Sequence, residues 1–269
     1  MSNIAEAKYN IRLLEDYSER KSLIHAVHPL IKVLVTIFFL IAVVSFGRYE
    51  AANLLPLFLY PVILFSWADI PVGPILKRLL LVSPLIIGIG ILNPIFDRET
   101  AALFGIVFSK GWLTFISITV KTFLAVTASL LLVATTGMTG IARALRNAGV
   151  PKLFVLQLLL TYRYISVLTE EAFRIVTAYT LKAPGHKGVK RRYWGPFAGR
   201  LLIRTMDRSH RIYQAMLLRG FEGEYRSGRD KPLRFSDGLY ILGWSLLFVI
   251  VRIFPIPSII GNLISGGPG

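Results

Sequence analysis

The chain of 269 residues contains no cysteine, which excludes disulfide staples, a thiol nucleophile and any Cys-ligated metal. Charge is also scarce: Asp, Glu, Lys and Arg make up 17% of the residues, against roughly 25% in soluble domains. Acidic residues are the scarcest, 15 against 31 Lys and Arg. No GxxxxGKS or GxxxxGKT, no GxGxxG and no GxSxG occurs, so neither a phosphate-cradling loop nor an elbow nucleophile is available. The N-terminus, MSNIAEAKYNIRLLEDYSERK, lacks a basic segment followed by an apolar one, so no cleaved signal peptide is expected. Histidines number four. His25 and His28 have a spacing that suits a metal pair, but with no acidic cluster nearby they read as interface or capping residues. Glu170 and Glu171 read as partners of Arg163 and Arg174 on one helix rather than as an acid–base pair.

What is abundant is apolar. Hydrophobic residues reach 54% with a mean hydropathy of +0.59, a membrane composition. Apolar stretches are read at Leu30–Phe46, Ala51–Trp67, Leu79–Phe96, Phe115–Thr135 and Leu239–Phe254. Lys32 is expected to snorkel from the start of the first. Asp69 to Arg78 reads as a polar, turn-rich break, and Ala101–Phe108 is too short to span. Lys121 falls inside the fourth stretch and is expected to face a protein interior, a membrane-interior partner or the nearer surface. Charge counting sets the topology. With the N-terminus inside, the inner segments hold twenty-five Lys and Arg and the outer loops three, Arg48, Arg98 and Lys110. The expectation is a multi-pass protein of the prokaryotic inner membrane, N-terminus cytoplasmic, C-terminus outside, in contact with lipid.

The net charge of +16 is concentrated between Gly137 and Asp237, which carry nineteen of the Lys and Arg. A short helix at Thr139–Asn147, a long one from Pro151 to about Ala183 and a basic aromatic loop, HKGVKRRYW, lead to a helix beginning near Arg200. In that helix Arg200, Arg204, Arg208, Arg211, Ala215 and Arg219 recur at three- or four-residue steps and form one stripe. Gly220 and Gly223 end it. The expected fold is therefore all-α: about five transmembrane helices, with two long cytoplasmic helices inserted before the last span. The divisions are a lead-in and four spans at 1–136, the basic region at 137–238, and the last span and tail at 239–269. The aromatics of the basic region form no stacking platform, so nucleic acid is not an expected partner.

Ser22-Leu-Ile-His25, then His28-Pro29 and Lys32-Val-Leu34, together with Arg208 to Phe221 (RSHRIYQAMLLRGF), resemble the transmembrane T component of energy-coupling-factor ABC importers, most closely its cobalt type, CbiQ. The resemblance covers nearly the whole chain. It implies a non-catalytic subunit with no cofactor of its own, ATP being bound by two cytoplasmic CbiO-like ATPase subunits. A membrane substrate-capture component (CbiM-like, with or without a small CbiN-like subunit) would complete an importer for cobalt or nickel. Ala215, Arg219 and Gly220 match the Ala-Arg-Gly signature at the end of one coupling helix, with Arg211 on the same stripe. The other signature falls at AYTLKAP, where Lys182 and Ala183 stand in place of arginine and glycine. Lysine keeps the charge and loses the bidentate fork. The rival reading is a membrane-bound enzyme acting on lipid or prenyl substrates.

Overall fold

The computed structural model describes residues 17–18, 20, 22–91, 94, 100–103, 106–182, 190–223 and 232–254. Among the described residues eight α-helices follow one another: α1 Leu23–Ala26, α2 Pro29–Ser45, α3 Leu59–Ala68, α4 Val72–Gly90, α5 Lys110–Asn147, α6 Lys152–Lys182, α7 Trp194–Leu218 and α8 Phe235–Ile253. Among the described residues the one departure from helical structure is an antiparallel hairpin of β1 Thr100–Leu103 and β2 Ile106–Ser109, in which Thr100 is paired with Ser109. It occupies the apolar run too short to span. Three helices, Gly111–Asn147, Lys152–Lys182 and Phe235–Ile253, are long and apolar enough to cross a membrane, and Pro29–Ser45 and Ala52–Ala68 are shorter apolar segments. The expectation of an all-α membrane protein is met in that coarser form.

The described residues divide at Gly137 into two compact units, one of 17–137 with 232–254, the other of 138–223. In the first, α2, α3 and α8 share an aromatic core. Tyr60 packs tilted against Phe39 at 4.5 Å and meets Trp244 edge-on at 4.8 Å, and its hydroxyl lies 3.1 Å from Thr36 Oγ1. A buried tyrosine needs such a partner. Segment α3 follows a 3-10 stretch, Ala52–Phe58, that accommodates Pro56. It ends at Asp69, whose left-handed φ of 51° turns the chain. The polar break expected at Asp69 to Arg78 is shorter than its composition suggests: α4 begins at Val72, because Pro74 sits in the first turn, where a missing N–H costs nothing.

Cations stitch both ends of this unit. Lys32 does not snorkel. It is 5% exposed, and its Nζ donates to the Thr135 carbonyl at 2.9 Å. That carbonyl precedes Gly137, whose φ of 67° and ψ of 163° interrupt α5. Nearby, Asp237 is buried at the start of α8, where Oδ1 accepts from the His28 N–H at 3.0 Å and Oδ2 from the Arg234 N–H at 2.9 Å. At the other end, Lys121 donates to the Phe46 and Gly47 carbonyls at 2.6 and 3.2 Å. Arg252 donates from Nε to Ser45 Oγ and from Nη2 to the Ser45 carbonyl. Both cations complement the negative end of the α2 dipole. Since α2 and α8 meet start to start and end to end, they run parallel.

The two N-terminal histidines are bound within the chain. His28 Nδ1 accepts from the Leu30 N–H. His25 Nε2 donates to the Tyr17 carbonyl at 2.9 Å, leaving Nδ1 to accept from Ser22 Oγ at 2.8 Å. Among the described residues no group of three or more His, Cys, Asp or Glu could hold a metal. Burial, helped by the charges of Lys32 and Arg20 and opposed by backbone hydrogen bonds, holds the His25 pKa below 6.5. The fold thus favours the neutral ring. Its contribution is full above pH ~6.5, the unfolded value, and disappears as pH falls through the lowered folded one. Thermal unfolding in detergent at pH 7.5 and pH 5 should show a larger loss for the wild type than for His25→Gln.

Candidate functional site

The basic stripe lies in the second unit, on α7. This helix has no buried residue. Leu201, Thr205, Ile212 and Met216 are half-buried at steps of four and seven residues, along one line of the helix, and Leu156, Leu160, Tyr164 and Leu168 of α6 are half-buried at steps of four. Apart from Leu201, these two stripes line an apolar groove of about 690 Å³ that also takes in Leu153, Tyr213 and Phe221. The helices are antiparallel. Tyr164 and Ile212 share the groove, Glu171 is ion-paired with Arg204, and Tyr179 meets Tyr193 at 5.5 Å. Glu171 thus bonds to the neighbouring helix rather than along its own. Such a pair with an exposed partner contributes about 0.2–1 kcal/mol.

The end of α7 is formed by the chain's own backbone. Gly220 has a φ of 74°; its N–H donates to the Leu217 carbonyl and the Phe221 N–H to the Met216 carbonyl, both at 3.0 Å. This is the Schellman arrangement, which uses glycine at the left-handed position. It satisfies the Met216 and Leu217 carbonyls without the side chain of Arg219, which is exposed.

Ala215, Arg219 and Gly220 line one groove of about 740 Å³ together with Lys152, Arg163, Tyr164 and Glu222. Arg211 lines a smaller one beside Arg204, Arg208, Asp207 and Glu171. Lys182 is exposed at the far end of α6, away from both. Ala183 lies outside the described residues, as do the first four residues of the basic aromatic loop. Lys121 is in the other unit, engaged with the end of α2. The residues that sequence spacing missed are Lys152, Arg163 and Tyr164. Their only sequence signal was position on α6, and the antiparallel register that brings them to Arg219 is a tertiary fact.

A helical membrane protein that carries a separate, exposed pair of basic helices is the class these features define. The family model described as CbiQ, cobalt transport protein, matches residues 20–229. The chain belongs to that family, the T components of energy-coupling-factor importers, and is a non-catalytic membrane component. It is 32% identical over 105 residues to the cobalt transport protein CbiQ of Rhodobacter capsulatus, covering 38% of this chain and 42% of that one. It is also 23% identical over 254 residues to an uncharacterized protein of Methanocaldococcus jannaschii, covering 89% and 85% respectively.

Proposed function

We propose that this chain couples two cytoplasmic ATPase subunits to a separate substrate-capture protein in the membrane, for uptake of cobalt or nickel. The observation that carries this is Arg219, displayed on an open groove at a helix end that needs no further cap. A guanidinium held there would form directional, charge-assisted bonds to an acidic residue of an ATPase, so that a nucleotide-driven movement pulls the helix. Antiparallel α6 and α7 place their C-terminal ends, Lys182 and Arg219, at opposite ends of the pair, one for each ATPase. ATP stays on those partners, and the capture protein, not this chain, selects the metal.

Parallel α2 and α8 support an N-terminus inside and a C-terminus outside. Helices that cross in the same direction require an odd number of spans when the chain alternates sides. Five crossings meet that condition. Adding α6 as a sixth would reverse α8 against α2, so α6, although long and apolar enough to cross, is assigned to the cytoplasmic side, in keeping with the positive charge around it.

Co-purification in detergent with the ATPase subunits tests this reading. The wild type should retain ATPase, Arg219→Ala should weaken the complex, and Arg219→Glu should abolish assembly or transport-coupled hydrolysis. A wild type that retains no ATPase would end the proposal and bring forward the membrane-enzyme alternative.

A further inference from the structure

We infer that the groove between α6 and α7 is itself a socket, receiving an acidic, amphipathic segment of an ATPase subunit. This rests on the docking reading above and adds to it that α6 supplies half of the contact. Lys152 and Arg163 come from α6 and Arg219 from α7, and all three line the same groove with a single acid, Glu222. All three cations are exposed, and none is held in an ion pair among the described residues. Like charges gathered around one concavity repel one another, and an incoming carboxylate relieves that cost.

The floor next to these cations is apolar. Leu160, Tyr164, Ile212, Met216 and Phe221 line both the cationic end and the groove that continues from it past Leu156. An occupant matching both parts has apolar side chains at helical spacing and carboxylates at one end, the helix-in-groove mode of recognition. The half-buried residues on both walls repeat at helical steps, which matches the side-chain spacing of an amphipathic helix; an anionic phospholipid is the other occupant, and the test below separates the two. With this geometry α7 is not only inserted into a partner. It also closes one wall of a site on its own chain.

The test uses the full-length chain with its ATPase subunits in detergent. Lys152 and Arg163 are exposed, so the double variant Lys152→Glu/Arg163→Glu should remain folded. It is expected to weaken ATPase binding at least tenfold and to flatten the dependence of binding on salt. Because the chain has no cysteine, Tyr164→Cys introduces a unique thiol on the groove floor. In the otherwise unaltered protein this thiol should cross-link to an ATPase subunit through a short thiol-to-amine reagent. If Arg219→Glu loses the ATPase while the Lys152/Arg163 double variant binds normally and Tyr164→Cys gives no cross-link, the socket is wrong and the docking reading survives. If the double variant loses only binding to phosphatidylglycerol vesicles, the groove is a lipid site and the inference is overturned. If the wild type binds no ATPase, both readings fall.

Discussion

Gly137→Ala is expected to destabilise the membrane unit by about 2–6 kcal/mol, measured as a shift in unfolding in detergent. Two causes add. The backbone conformation, φ 67° and ψ 163°, belongs to a region essentially restricted to glycine, where a side chain costs about 1–3 kcal/mol. A Cβ there would also lie 2.7 Å from Ser18 Oγ and 3.1 Å from Ser18 Cβ, an overlap that costs typically about 1–3 kcal/mol. The double variant Gly137→Ala/Ser18→Gly should recover the second part and not the first. At Gly220, with nothing within 4 Å of its added Cβ, only the conformational cost should be seen. A Gly137→Ala protein as stable as wild type would show that α5 does not break there.

Asp237→Ala should be comparably severe. Its carboxylate is 3% exposed and accepts from two backbone donors, the N–H groups of His28 and Arg234. Each donor left buried and unpaired costs about 1–3 kcal/mol, giving about 2–4 kcal/mol in all once some water reaches the Arg234 side. Asp237→Asn keeps one acceptor and should lose less. The decisive readout is local: since the His28 bond ties the start of α2 to the start of α8, Asp237→Ala should speed hydrogen exchange at the first turn of α2. Unchanged exchange there, with global stability reduced, would assign Asp237 to capping α8 alone.

Legibility in the sequence followed the range of the physics. The bounds of α6 were readable because Pro151 starts the helix and Ala183-Pro184-Gly185 follows its end, signals that act within one turn. Arg219 and Gly220 were readable for the same reason, since a left-handed C-terminal position selects glycine whatever surrounds it. Lys32 was misread because the direction of a lysine near a span end depends on which carbonyls are free, and the one it meets is released by a glycine on another helix. Lys121 and Arg252 share that difficulty: their partners are the terminal carbonyls of α2, far along the chain. Lys152 and Arg163 carried no motif, and only the antiparallel register of α6 against α7 brings them to Arg219.

That register also fixes how force would pass through the pair. Lys182 and Arg219 terminate α6 and α7 at opposite ends, and the 25 residues of α7 at 1.5 Å each put those ends roughly 40 Å apart. Opposed pulls at the two ends make a couple, which turns a rigid beam about its middle without carrying it sideways. A pull at one end alone would drag the beam instead. The bearing of such a beam is its waist, where Thr205, Ile212, Tyr164 and Leu168 line one groove, and under the proposed docking slack introduced there would let each end move on its own while the torque is lost between them.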